Sequence, residues 1–98
     1  RRLIFIMGVL ADKEYEVVAE QTAPLAEEIL TIMTPDNPRA LSAEALAETV
    51  GKYNPHVRAM GSIRDAVREA RRLAGPADVI LAFGSLSYLG ELYREANK

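Results

Sequence analysis

Hydrophobic positions along this chain fall into four short apolar runs separated by amphipathic stretches. The runs are Leu3–Met7, Ile29–Met33, His56–Met60 and Asp78–Phe83. The first, second and fourth are almost continuously apolar, the pattern of strands covered on both faces. The third, "HVRAM", carries charge and reads as a strand nearer a sheet edge. Between the runs apolar residues recur at helical spacing. Residues 13–28 set Tyr15, Val17, Val18, Ala19, Leu25 and Ala26 among glutamates, with Pro24 placed to break or restart the helix. Ser42 is an N-cap, with Leu41 and Leu46 at the N′ and N4 positions of a hydrophobic staple, and that helix is expected to end near Gly51. Ser62 caps the next, with Asp65 three residues on, and Ile63, Ala66, Val67, Ala70 and Leu73 form one apolar stripe ended by Gly75 and Pro76. A last helix is predicted from Ser85 toward Ala96.

The order is β-α-β-α-β-α-β-α. Strands joined by helical crossovers predict a Rossmann-like three-layer α/β/α domain, with a mainly parallel sheet built from consecutive βα units and right-handed crossovers. With 98 residues there is room for one domain and one sheet. The opening "RRLIFIMGVLADK" imitates a signal peptide, but Asp12 and Lys13 end the run early and no small-residue cleavage pattern follows. No stretch approaches the ~20 apolar residues of a membrane span. The chain lacks an initial methionine and enters a strand at once, which suggests a piece of a longer protein.

Composition narrows the chemistry. Hydrophobic residues make up 49% and charged residues 27%, ordinary values for a globular domain. The formal charge of −2 and the absence of a basic run give no sign of nucleic-acid binding. Without cysteine there is no disulfide and no thiolate metal site, which fits a reducing, cytoplasmic setting.

In a parallel sheet of this kind ligands bind beyond the carboxyl ends of the strands. That rule selects three loops: "GVLADK", "TPDNPRAL" and "GSLSYLG". In the first, Asp12 serves as a helix cap and Lys13 is either a solvated side chain or a fixed positive charge for an anionic group. In the second, Pro35 and Pro38 restrict the backbone and Asp36 and Asn37 can form Asx turns. Arg39 is then either a bidentate partner for a substrate carboxylate or one half of an ion pair with a nearby glutamate. In the third, Gly84 and Ser85 sit at a strand-to-helix junction, where free N–H groups can receive an anion or where small residues serve turn geometry alone. "GKY" at 51–53 lacks the first glycine of a phosphate-binding loop and follows a helix. His56, the single histidine, reads as structural, and the three methionines read as core.

Taken together and in order, "LIFIMGVLADKEY", "TPDNPRAL" and "DVILAFGSLSYLGE" resemble the C-terminal domain of the folylpolyglutamate synthase/dihydrofolate synthase family, within the Mur ligase superfamily. The match extends over nearly the whole chain. The resemblance implies an ATP-dependent ligase that adds glutamate to a folate or pteroate carboxyl through an acyl phosphate. It implies that Lys13, Asp36, Asn37, Arg39 and Ser85 line the amino-acid side of the cleft, with no catalytic residue supplied by this domain. ATP and Mg2+ would be bound mainly outside these residues, by a central ATPase domain of the same chain. The family's phosphate-binding loop and its "DGAHNP"-like segment are absent from these 98 residues, so the piece alone is expected to be inactive. Partners implied are glutamate and folate or dihydropteroate, with neither nucleic acid nor membrane. Two other readings stand beside it: a peptidoglycan Mur ligase, which shares a "DNPR" loop, and a non-catalytic Rossmann-like binding module.

Overall fold

The computed structural model describes residues 2–11, 15–34 and 38–84. The elements are β1 (Leu3–Gly8), α1 (Tyr15–Thr22) with a short 3-10 turn (Ala23–Leu25), β2 (Glu28–Thr31), α2 (Ala43–Val50), β3 (Val57–Ala59), α3 (Ile63–Leu73) and β4 (Val79–Gly84). The predicted last helix, from Ser85 onward, lies outside the described residues.

The strands form one sheet in the order β3-β2-β1-β4, every pair parallel. Side chains alternate across it. Ile4, Ile6, Leu30 and Ile32 pack with Ile63, Ala66, Val67 and Ala70 of α3 on one face. Phe5, Met7 and Ile29 pack with Ala19, Leu46 and Val50, from α1 and α2, on the other. The three layers follow from the connections. From β1 to β3 the chain steps one way across the sheet; from β3 it returns over β2 and β1 to reach β4. Crossovers of one hand, travelling in opposite directions, must place their helices on opposite faces.

Local sequence sets the element ends. Pro24 falls in the first turn of the 3-10 segment, after α1 has stopped at Thr22. Ser42 Oγ accepts from Ala45 N at 3.1 Å, and Leu41 and Leu46 meet in the same core, as a staple requires. Ser62 Oγ accepts from Asp65 N at 3.1 Å, and α3 buries its predicted stripe. Asn54, 6% exposed, joins two layers: its Nδ2 donates to Ala23 O (2.8 Å) and Ala26 O (2.9 Å), and its Oδ1 accepts from His56 N (2.8 Å).

Two expectations are corrected, for Met33 and for β4. The second strand ends at Thr31, so Met33 lies beyond the ladder and is 54% exposed rather than core. β4, the terminal strand in the order, is not covered on both faces among the described residues: Ile80 and Leu81 are exposed. His56 is exposed too and contributes through its backbone, accepting from Ile29 N as well as donating to Asn54. Val17, Val18 and Leu25 face solvent, leaving Ala19 as the buried residue of α1. Among the described residues no helix is long and apolar enough to cross a membrane.

Candidate functional site

The strand order locates a switch point. Connections leave β1 toward β2 on one side and arrive at β4 on the other, so the crevice between β1 and β4 opens at their carboxyl ends. There Gly8 and Gly84 pair in register. A Cβ at Gly8 would lie 3.0 Å from Ile32 Cγ1 and 3.3 Å from Ile32 O, so a side chain there would push on Ile32 where the chain leaves β2. Ile32 N also donates to Met7 O at 2.9 Å, which holds that exit against β1.

Beyond β1 the chain does something a parallel sheet does not require. Leu10 and Ala40 form an antiparallel bridge. Ala11 N donates to Arg39 O at 2.7 Å, and Leu41 N donates to Val9 O at 3.1 Å. Leu10 and Ala40 are thus a pair flanked by two backbone hydrogen bonds, a miniature ribbon between the first and second strand-end loops. Val9 and Leu10 are buried, whereas Arg39 is exposed. The ribbon therefore rests on the core through the β1 loop and carries Arg39 on its outer side. Ser42 caps α2 directly after it, and buried Thr31 Oγ1 donates to Ala43 O at 2.7 Å to seat the start of that helix. Thr34, fully buried just beyond the end of β2, has a hydroxyl without a hydrogen-bond partner among the described residues.

Elsewhere charged groups pair with one another. At the amino ends of β1 and β4, Arg2 Nη2 meets Asp78 Oδ2 at 2.8 Å and also donates to Leu73 O. Asp78 accepts from Gly75 N at 2.8 Å as well. The Arg2 hydrogen bond, then the backbone donors, hold the Asp78 carboxyl well below the usual carboxylate range. On the α3 side Glu69 receives Arg72 and Arg58, which lower it to about 2. Glu16 accepts from Tyr53 at 3.1 Å and raises that phenol, and it pairs with Lys52 at 3.4 Å. These contacts brace the domain.

Of the residues singled out from sequence, Arg39 is placed at the carboxyl edge. Asp12, Lys13, Pro35, Asp36, Asn37 and Ser85 lie outside the described residues. The backbone groups of Val9, Ala11 and Leu41, and the Thr34 hydroxyl, were not singled out. Backbone pairing leaves no residue-type signature, and Thr34 looked like part of a turn. Among the described residues no cluster of His, Cys, Asp or Glu could hold a metal ion.

A family model described as "Mur ligase, glutamate ligase domain" matches residues 1–86. The dihydrofolate synthase/folylpolyglutamate synthase of Haemophilus influenzae is 30% identical over 94 residues, which are 94% of this chain and 21% of that protein. Mycobacterium tuberculosis folylpolyglutamate synthase, solved with ADP and AMPPCP, superposes with a TM-score of 0.84 at 26% identity, covering 99% of this chain and 24% of that one. E. coli FolC, solved with DHPP and ADP, shares the fold with a TM-score of 0.84 at 22% identity, over 100% of this chain and 23% of that one. The chain thus spans between a fifth and a quarter of the length of these relatives. The chain belongs to the Mur ligase family as its glutamate ligase domain, the C-terminal domain found in folylpolyglutamate synthase/dihydrofolate synthase enzymes.

Proposed function

We propose that this domain forms the amino-acid side of an ATP-dependent ligase that joins glutamate to a folate or pteroate carboxyl. In that reaction the carboxylate takes the γ-phosphoryl group of ATP, giving an acyl phosphate and ADP. The glutamate amine then attacks the acyl carbon; an amide forms, phosphate leaves, and the amine gives up its proton. The domain's task is orientation, since a well-held amine gains more from placement than from a further base. Arg39, with Lys13, Asp36, Asn37 and Ser85, would receive glutamate, the cations and helix-end N–H groups meeting its carboxylates. ATP and Mg2+, the ion that neutralises charge on the transferred phosphoryl group, would be held mainly by a central ATPase domain outside these residues.

The single observation that carries this reading is the ribbon at the switch point, which brings the Arg39 loop beside the β1 loop within a glutamate ligase fold. A peptidoglycan substrate is the competing assignment within the same family. The test is ADP formation by the whole ligase carrying this domain, with glutamate and either a folate-type or a muramyl acceptor. Glutamate-dependent turnover with the folate-type acceptor is expected. Turnover with the muramyl acceptor alone would overturn the assignment.

A further inference from the structure

The ribbon has a direction. On its inner side Val9 and Leu10, directly after β1, are buried in the body of the domain. On its outer side Arg39 is exposed, and its own carbonyl is clamped by Ala11 N at 2.7 Å. Two residues later Leu41 N is held by Val9 O at 3.1 Å. The backbone of Arg39–Leu41 is therefore pinned at both ends to the loop after β1, whereas the ladder of its own parent strand, β2, stops at Thr31. Nothing in a parallel sheet calls for antiparallel pairing between two strand-end loops. The capped start of α2 just beyond fixes the far end of the segment.

We infer that Ala11 is a positioning residue for Arg39: its backbone N–H sets where the guanidinium is presented, and the first two strand-end loops act as one unit in amino-acid binding. This rests on the proposed role of Arg39 and adds the element that places it. Two substitutions separate the contributions. Ala11→Pro removes the donor, and Ala11→Gly keeps it. In the whole ligase carrying this domain, Ala11→Pro should raise the glutamate KM roughly fivefold, the factor expected for one lost hydrogen bond, and leave the ATP KM unchanged. Ala11→Gly should stay near the parent value. In an Arg39→Ala background, Ala11→Pro should add nothing further, because both changes act through one side chain.

An unchanged glutamate KM in Ala11→Pro, or an equal increase with and without Arg39, would overturn the inference. If Arg39→Ala itself leaves the glutamate KM unchanged, the proposed role of Arg39 fails. The pairing of the two loops is then read from amide exchange in the unsubstituted enzyme. The Ala11 and Leu41 N–H groups should slow together at saturating glutamate, and slowing of only one, or of neither, would refute their action as a unit. That measurement also decides the matter should Ala11→Pro fail to fold.

Discussion

Replacing Asn54 by alanine should unlock the turn between α1 and β2. Three hydrogen bonds are lost, to Ala23 O, Ala26 O and from His56 N, all between 2.8 and 2.9 Å. Ala23 O retains a 3.2 Å bond from Ala26 N, but the Ala26 carbonyl and the His56 amide lose the Asn54 partner in a region where that side chain is 6% exposed. At roughly 0.5–1.5 kcal/mol net per bond, the total is about 3 kcal/mol, a large part of the ~5–15 kcal/mol typical of a whole domain. In thermal unfolding followed by circular dichroism, the midpoint should fall by on the order of 15 °C for a domain of this size. Asn54→Asp should be at least as damaging near neutral pH, since it keeps the acceptor for His56 N but turns a carboxylate toward two carbonyl oxygens. A loss below about 1 kcal/mol for Asn54→Ala would refute the assignment of Asn54 as the lock.

Two further outcomes are open to direct measurement. Asp78 is held below its ordinary pKa by Arg2 and by backbone donors, so its contribution is present above the unfolded-state value of ~3.9 and is lost as pH falls through and below it. The stability gap between the parent and Asp78→Asn, read by urea unfolding, should therefore shrink below about pH 4, and a gap independent of pH would contradict the clasp. Thr34→Val replaces a buried hydroxyl that has no partner among the described residues by a methyl and should raise stability by about 1 kcal/mol in the same assay; a decrease would show that the hydroxyl has a partner.

The alternation of elements was legible because each carries its own local signal. Ser42 and Ser62 cap the helices they were expected to cap, and the α3 stripe is buried as its spacing requires. The weak, charged third run does lie at a sheet edge, with Arg58 reaching Glu69. What sequence did not carry depends on neighbours. Ile80 and Leu81 read as doubly covered, since an apolar run does not reveal that its strand will stand at the end of the sheet. Met33 read as core because hydropathy does not mark where the β2 ladder ends. The rigidity of the Arg39 loop was attributed to its prolines. Pro35, Asp36 and Asn37 lie outside the described residues; the backbone of Arg39 and Leu41 is also held by Ala11 and Val9, far away in sequence.

The central claim is that Arg39, carried on that ribbon, receives the amino acid and not the nucleotide. Steady-state kinetics of Arg39→Ala in the whole ligase test it most directly. Losing a charged hydrogen-bond partner of a carboxylate should raise the glutamate KM by on the order of tenfold or more, with the ATP KM nearly unchanged. Equal changes in both KM values, or no change in the glutamate KM, would contradict it.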